Sequence, residues 1–454
     1  MTSALSWLLI CLGVRLVWLA WSWQCRQQPW SPQAAGTAGV PRLLRPRTPD
    51  DCPVCRQQDP VRAADTPQRP PTRPWREQKS RRGAPKRINT QGFACPNRRC
   101  AYYRITDAQL YALVGDGTDG RREHIQTFRC QACHTTFSAR RDTPLYRLKT
   151  PSQRVGEVLT ALVEGLDVAA AVRVFGHSEG TIMTWVTRAG EHSATLHDRF
   201  FRCLQLPHVQ LDEIRTRLRS RAHTLWLWLA VDPITKIIPV LHLGPRTQRA
   251  AHTVIHILRQ KLAPECIPVF TSDGLNLYFY ALTAHFGQWV VGLGRRVYQW
   301  QVAAGLIYGQ VKKVYRRRKL VRVTHVMRCG TRDALRTALS GLGLSGRLNT
   351  AFVERVNLTL RQSVAALVRR TWSTAQAAPQ LLTHLEWWRA YYHFVRPHES
   401  LREALAQPIE RGGRRIPQRY RQRTPAMAAG LTNRRWTVRN LLTVPLLPEP
   451  LGAA

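Results

Sequence analysis

The chain has 454 residues, of which 44% are hydrophobic, so it can bury a real core and form about two to four domains. Its 68 Lys and Arg residues against 28 Asp and Glu residues give a formal net charge of +40. This composition excludes a disordered tail, and the charge predicts a polyanionic partner. Nucleic acid is favoured over ribosomal-type or membrane-surface adhesion because few acids remain and three of them lie in structured contexts.

The first 25 residues form an apolar leader. Residues 4–23 are Trp-rich and close to the ~20 residues that span a bilayer. Arg15 interrupts this stretch at a cost of about 2.5 to 3.5 kcal/mol on insertion scales, which the surrounding apolar residues offset. Two interpretations stay open. One is a marginal single-pass or interfacial helix, and the other is an over-extended reading frame or a helix that does not insert.

Residues 26–91 are rich in Pro, Arg and Gln and are predicted to be a basic linker, with Cys52 and Cys55 as an isolated half-site. Residues 92–150 contain two cysteine pairs, each beside an aromatic residue. The first pair is Cys95 and Cys100, and the second is Cys130 and Cys133. Four thiolates from two turns satisfy Zn²⁺, so we expect a structural zinc ribbon; the alternative is reduced cysteines without metal. Such cysteine pairs also indicate a reducing, intracellular compartment.

Residues 151–200 have the pattern of a helix-turn-helix. Apolar residues at helical spacing precede Gly176, and Ile182, Trp185 and Val186 give the following helix a core face. The second helix would present Ser178, Thr181 and Thr184, together with Glu179, to a DNA groove. A helical hairpin that only packs is the alternative.

Residues 201–405 are predicted to be an α/β catalytic core with a mixed sheet flanked by helices. The apolar run 225–231 predicts a strand buried on both faces, and the pattern that follows predicts the strand 237–241, a helix and the strand 267–271. Asp212 and Asp273 each follow a short apolar stretch. We therefore expect both at the carboxyl ends of neighbouring strands, pointing into one crevice.

A third acid, Glu354, lies on a predicted amphipathic helix whose buried stripe is Val353, Val356, Leu360, Val364 and Leu367. Asn357 and Arg361 share the face of Glu354 and are expected to meet DNA phosphate. Three such acids can hold two Mg²⁺ or Mn²⁺ ions for phosphoryl transfer. Glu213 is the main rival inside this site, and Asp232 is predicted to be an Asp-Pro turn.

A basic stretch follows Asp273, with seven cations and one tyrosine in residues 310–322. It predicts a strand or arm that contacts DNA phosphates, and the alternative is a solvated charged strand. The expected DNA-binding residues are Lys312, Lys313, Arg316, Arg317 and Arg318. Residues 406–454 are predicted to be a basic C-terminal tail. The aromatic residues Trp387, Trp388, Tyr391 and Tyr392 are predicted to pack in the core.

Several segments resemble the insertion-sequence-one type of bacterial DDE transposase. They are Leu211-Asp212-Glu213, Ser272-Asp273-Gly274, and Asn349 to Arg361 followed by Ala366 to Thr371. The third segment is the most specific, because Glu354-Arg355, then Asn357 to Arg361, then an Arg-Arg-Thr end resemble the surroundings of that family's catalytic glutamate. The stretch Tyr391 to Leu401 resembles the ending of integrase-like cores. The resemblance covers residues 92 to 435.

The resemblance implies a ribonuclease-H-like core in which Asp212, Asp273 and Glu354 are the metal-binding catalytic triad. It implies cleavage at the ends of an insertion element, recognition of terminal inverted repeats, and attack of the freed 3′-hydroxyl on target DNA. The implied partners are double-stranded DNA and further copies of the chain, in the bacterial cytoplasm. Two alternatives remain: a DNA-binding regulator or domesticated protein with an inactive core, and a nuclease that cuts without joining.

Overall fold

The computed structural model describes residues 90, 92–104, 112–120, 123–219, 224–291, 298–317, 319–369, 371–409 and 417–446. The predicted leader, most of the linker with Cys52 and Cys55, and Arg318 lie outside these residues. Within the described ranges, no helix combines the length and the apolar character that crossing a membrane requires.

The first folded unit is a small antiparallel sheet. Its strands are β1 (Leu113–Asp119), β2 (Ile125–Cys130) and β3 (Thr136–Ser138), in that order. Phe128 is buried between Phe93 and Phe137, with ring centroids 4.6 Å and 5.7 Å away. This core is small, so the unit depends on a further cross-link for stability.

Three helices follow: α1 (Ser152–Val163), α2 (Val168–Phe175) and α3 (Glu179–Phe200). The side chain of Asp167 accepts a hydrogen bond from the Ala170 amide and caps α2, which ends at Gly176 with φ 72°. A left-handed residue at this position closes a helix with little strain when it is glycine. The side chain of Ser178 then caps α3 by accepting from the Thr181 amide. The predicted pair of helices with a glycine turn is therefore present.

A six-stranded mixed sheet forms the centre of the molecule. Its strands are β4 (His208–Arg217), β5 (Thr224–Val231), β6 (Val240–Gly244), β7 (Val269–Asp273), β10 (Tyr308–Arg316) and β11 (Lys319–Cys329). The strand order is β11-β10-β7-β4-β5-β6. The strands β4, β7 and β10 are mutually parallel, whereas β5, β6 and β11 pair antiparallel to their neighbours. The predicted mixed α/β sheet is confirmed.

Helices cover both faces of this sheet, as predicted. Alternation along β5 sends Trp228 and Ala230 to one face and Leu227 and Leu229 to the other. The first face packs on α4 (Gln248–Lys261) and α5 (Leu277–His285), and the second on α7 (Ala351–Ser363) and α8 (Ala378–Ala390). A further helix, α6 (Arg332–Gly341), packs its Leu335 and Leu339 against Val269 and Val311. Along the chain, a hairpin of β8 (Gly287–Val291) and β9 (Tyr298–Val302) lies between α5 and β10.

Helix α3 is packed into the same core as the sheet. At Gly190, a Cβ atom would lie 2.1 Å from the carbonyl oxygen of Thr383 on α8, so the two backbones touch. Only a residue without a side chain permits this approach. Helix α8 continues into a π-helical turn (Tyr391–Val395). The aromatic residues Trp387, Trp388, Tyr391 and Tyr392 of these two elements are all buried, as predicted.

The C-terminal region adds β12 (Glu403–Ile409), β13 (Gln418–Arg421), α9 (Pro425–Ala428) and α10 (Val438–Thr443). Its Ala426, Leu441, Leu442 and Leu446 belong to the main hydrophobic core. The described part of the predicted basic tail is therefore an integral part of the fold. The burial of these residues depends on contacts with distant helices.

Candidate functional site

Asp212 and Asp273 lie side by side where two parallel strands stop pairing. The last parallel pair of β4 and β7 is Leu211 with Ser272, and each aspartate is the next residue of its strand. Asp273 ends β7, but β4 continues to Arg217 in its pairing with β5. The prediction that Asp212 ends a strand was therefore wrong. The two acids still meet, because the crevice opens where the parallel pairing ends.

A third carboxylate joins this pair. Carboxylate oxygens of Asp212, Glu213 and Asp273 lie within 4.8 Å of one another, and we call these residues the acid cluster. Burial, then the charge of Asp273, raises the pKa of Asp212 to about 6 and that of Glu213 to about 7. Burial also raises the pKa of Asp273. Three mutually repelling carboxylates that are costly to ionise are a setting in which a divalent cation is stabilising.

Glu213 is held by two residues that the sequence did not single out. The Arg246 guanidinium donates to its Oε1 from Nη2 at 2.6 Å and from Nε at 2.9 Å, and the Tyr278 hydroxyl donates to its Oε2 at 3.2 Å. Both partners come from the α4 and α5 side of the sheet. No local pattern marks them, since an isolated Arg after a Gly-Pro turn and a Tyr on a helix are common in any fold.

Glu354 lies in the first turn of α7 and lines the same cleft, but it does not belong to the acid cluster. Its Oε1 accepts a hydrogen bond from the Thr350 hydroxyl at 2.7 Å and from the Lys313 ammonium at 2.5 Å. Burial alone would raise the pKa of Glu354, but these two partners outweigh it and lower the pKa. The Glu354 side chain is 48% exposed, and an ion pair at such a site contributes only ~0.2–1 kcal/mol.

Asn357 lies on the face of α7 that meets Asp212. Its side chain is buried and donates from Nδ2 to Oδ2 of Asp212 at 2.6 Å. The Asn357 Oδ1 atom is also buried and has no hydrogen-bond partner among the described residues. Asn357 thus orients Asp212 and places an unused oxygen near it. Contact of Asn357 with phosphate remains a prediction, and the buried position disfavours it.

Arg361 lies one turn further along α7 and is partly exposed. Burial and the charge of Arg369 lower the pKa of its guanidinium, and the charge of Asp212 opposes that shift. Arg361 and Arg369 are therefore neighbouring cations in the vicinity of Asp212. Contact of Arg361 with DNA remains a prediction that this placement allows.

The acids open into a cleft of about 810 Å³. Its walls include Asp212, Asp273 and Glu354, the loop after β7, and the four consecutive residues Lys312, Lys313, Val314 and Tyr315 of β10. Lys312 lies over Gly274, where a Cβ atom would be 3.1 Å from the Lys312 Cγ.

The predicted basic arm is a hairpin of two long strands. Beyond Val311, which is paired with Asp273, β10 has no partner in β7 and pairs only with β11. We call residues 312–324, without residue 318, the arm. Arg316 and Arg317 are exposed at its tip. The cations of the arm thus project past the acids, as a strand that contacts phosphates requires, although DNA contact itself remains a prediction.

The predicted groove-facing residues lie on the first turns of α3. Ser178 and Thr184 are exposed and Thr181 is partly exposed, while Ile182, Trp185 and Val186 of the same helix are buried. The Thr184 hydroxyl donates to the Gly180 carbonyl at 2.7 Å, and Ser178 serves as the helix cap. The helix therefore has one core face and one accessible face, as a recognition helix requires.

The four cysteines of residues 92–150 converge into one group. Their sulfur atoms lie within 4.8 Å of one another, with 3.5 Å between the Sγ atoms of Cys95 and Cys133 and 3.7 Å between those of Cys100 and Cys130. Tetrahedral Zn²⁺ with Zn–S bonds of about 2.3 Å places its sulfurs ~3.8 Å apart. The group can therefore hold a structural zinc ion. The wider spacing of the first pair is absorbed by a turn in which the Cys100 amide donates to the Asn97 carbonyl.

No family model matches this chain. A search of curated proteins also finds no match. The residues of the chain itself therefore carry the functional assignment.

The donor chemistry of the two groups is distinct. Four soft thiolates favour zinc, whereas the acid cluster offers only hard oxygen atoms, with the free Asn357 Oδ1 close by. The residues at the acid cluster fit a small divalent cation such as Mg²⁺ or Mn²⁺, because their negative charge is only partly balanced by Arg246 and Lys313.

Proposed function

We propose that this chain is a metal-dependent DNA transposase of the DDE kind, which cuts DNA at the ends of an insertion element and joins them to a target. The observation that carries the proposal is the acid cluster at the end of the parallel pairing, inside a cleft bordered by the cationic arm. A mixed sheet with helices on both faces also supports the ribonuclease-H-like core that the resemblance implies.

Asp212 and Asp273 would hold the metal, with Glu354 or Glu213 as the further carboxylate. When bound, Mg²⁺ or Mn²⁺ supplies electrostatic stabilisation of the attacking and leaving oxygens of phosphoryl transfer. Asn357 fixes the orientation of Asp212, and the Leu275 amide fixes Asp273 by donating to its Oδ1 at 3.0 Å. Preorganised carboxylates of this kind avoid reorganisation during the reaction.

The remaining residues position DNA. Lys312 of the arm lines the cleft, and so does Arg246 before α4. A phosphate backbone lying in the cleft would meet these cations, and Arg316 and Arg361 would contact it outside the cleft. The accessible face of α3 would contact the terminal inverted repeat, and a zinc-bound Cys95–Cys133 module would assist it. Two element ends must be held together, so the active form is a homo-oligomer.

A strand-transfer assay tests this proposal. Purified protein is incubated with Mg²⁺, a plasmid target and a labelled duplex that carries the inverted repeat flanking its own gene. We expect cleaved and joined products from the wild type and none from Asp273→Asn, with DNA affinity nearly unchanged because the arm and α3 are intact. Glu265→Gln, which removes an exposed acid elsewhere, is the matched control and should keep full activity.

The same assay separates the alternatives. Cleaved but never joined DNA would identify a nuclease. Specific DNA binding without any Mg²⁺-dependent product would identify a regulator with an inactive core, an alternative favoured by the position of Glu354 outside the acid cluster. Strand transfer by Asp273→Asn would refute the assignment of the acids.

A further inference from the structure

The ion pair between Lys313 and Glu354 separates the third predicted acid from the other two. Lys313 Nζ is 2.5 Å from Glu354 Oε1, while Asp212, Glu213 and Asp273 form a cluster that lacks Glu354. All of these elements border one cleft. A carboxylate implied to be catalytic is thus neutralised by a cation of its own chain.

The position of Lys313 explains this contact. It is the second residue after Val311, the last residue of β10 that pairs with β7. Side chains alternate along a strand, so Lys313 and Lys312 point to opposite faces of the arm. Lys313 reaches Glu354 on the α7 side, and Lys312 lies against Gly274 on the other.

Pairing within the hairpin gives the arm two unlike faces. One face carries the cations Lys312, Arg316, Lys319 and Arg322. The other carries Lys313 with Tyr315, Leu320 and Val323, all three of which are exposed. Among the paired residues of the described arm, Lys313 is therefore the one cation on this face, and Arg317 lies in the turn at the tip. Since its partner Glu354 is itself half exposed, a phosphate of bound DNA can compete for Lys313.

We propose that the Lys313–Glu354 ion pair is a latch: it keeps Glu354 away from the acid cluster until nucleic acid binds the arm and a phosphate takes Lys313, which frees Glu354 to complete the metal site. This inference rests on the proposed function, because it assumes that DNA and a divalent cation occupy the cleft. Lys313 is thus a positioning residue for Glu354. The latch couples metal binding to the presence of DNA and protects the free protein from unproductive chemistry.

The first test measures Mn²⁺ affinity by calorimetry on the full zinc-loaded chain without DNA. Lys313→Met should tighten binding about two- to fivefold, the range that an exposed ion pair of up to ~1 kcal/mol allows, and the double variant with Glu354→Gln should lose that gain. Glu354→Gln alone should change Kd less than about twofold, since the latched carboxylate does not bind the ion. Lys312→Met is the matched control. It removes the same charge from the lining of the same cleft. Any gain in Mn²⁺ affinity that it gives should be smaller and independent of Glu354.

The second test measures DNA affinity in buffer without divalent ions, by fluorescence anisotropy with a short duplex of arbitrary sequence. Glu354→Gln should tighten binding because it frees Lys313 for phosphate, and it should do so clearly less in the Lys313→Met background. Both tests measure the loss of the same ion pair from the free protein, so the two mutant cycles should report coupling of similar size. Unchanged circular dichroism and thermal melting of each variant exclude misfolding as the cause.

The outcomes separate the latch from the function on which it rests. Equal gains in Mn²⁺ affinity from Lys313→Met and Lys312→Met, with no dependence on Glu354, would overturn the latch. The metal site would still be supported in that case if Mn²⁺ binding required Asp273. Mn²⁺ binding that is absent, or unaffected by Asp273→Asn, would overturn both.

Discussion

Replacing Asp273 by Asn should make the metal-free protein more stable while removing its response to Mg²⁺. The acid cluster holds three carboxylates whose oxygens lie within 4.8 Å of one another. At that distance, and at an effective dielectric constant of ~20, two full charges repel each other by ~3.5 kcal/mol. The neutral amide of Asn keeps an oxygen that can accept the hydrogen bond from the Leu275 amide. The substitution therefore removes repulsion without removing the turn that positions residue 273.

The pKa of Asp212 indicates that Asp273 costs the folded protein less than this ~3.5 kcal/mol. A pKa of about 6, against an ordinary value of 3.8, corresponds to ~3 kcal/mol for keeping this charge in the folded protein. Burial is the larger cause and Asp273 the next, so Asp273 accounts for the smaller part of this cost. Glu213 adds a similar contribution, while lost attraction of Asp273 to Arg246 and Lys313 offsets part of the gain. We expect a net stabilisation of ~1 kcal/mol, or roughly 1–2 °C in Tm for a core that spans Leu145 to Leu446.

Mg²⁺ should reverse the order of stability of the wild type and Asp273→Asn. A cation that binds only the folded state stabilises it by ~2.7 kcal/mol when its concentration is a hundred times Kd. The wild type should therefore become the more stable protein at saturating Mg²⁺, whereas Asp273→Asn should respond little. Thermal melting followed by circular dichroism, with and without Mg²⁺ at pH 8, measures both effects. Two results would refute the reasoning: lower stability of Asp273→Asn in metal-free buffer, or a Mg²⁺ response equal to that of the wild type.

Three further predictions concern the acid cluster, the packing of α3 on α8 and the cysteine group. The pKa values of Asp212 and Glu213 lie above their ordinary values, so between about pH 4 and pH 7 the folded state binds more protons than the unfolded state. The free energy of unfolding of the metal-free protein, measured by urea titration, should therefore fall as pH rises through this range. Mg²⁺ should reduce that fall. Gly190→Ala should cost ~1–3 kcal/mol or more in urea unfolding, because its Cβ meets Thr383, whereas Gly180→Ala, with no atom within 4 Å, should not destabilise. Cys130→Ser should lose the zinc measured by metal analysis, and Cys329→Ser, outside the cysteine group, should keep it.

Local sequence patterns predicted the elements whose burial is decided by neighbours along the chain. The apolar run 225–231 is the buried strand β5 (Thr224–Val231), and the glycine turn between α2 and α3 lies where the pattern placed it. The spacing of four cysteines predicted their convergence. These features depend on alternation, caps and short turns, which a few adjacent residues determine.

Predictions about where a strand or a helix face ends were less accurate. The apolar residues before Asp212 suggested a strand end, but Ile214 and Thr216 continue the inward alternation, and β4 extends to Arg217. Helical spacing placed Asn357 on the face of Glu354 but did not show that contact of α7 with β4 buries Asn357 against Asp212. Packing between distant segments decides both cases, and no local pattern reports it.

The relation of Glu354 to the acid cluster could not be read from the sequence for a similar reason. A motif fixes which residue types stand near each other along the chain, but the partner of an exposed carboxylate is the nearest cation in space. That cation is Lys313, which a hairpin brings over the cleft from 41 positions away in sequence. The same cations that draw DNA toward the acids can therefore neutralise one of them while DNA is absent. A basic enzyme that binds a polyanion close to its carboxylates faces this competition in general, and exposure of the ion pair to solvent makes the exchange reversible.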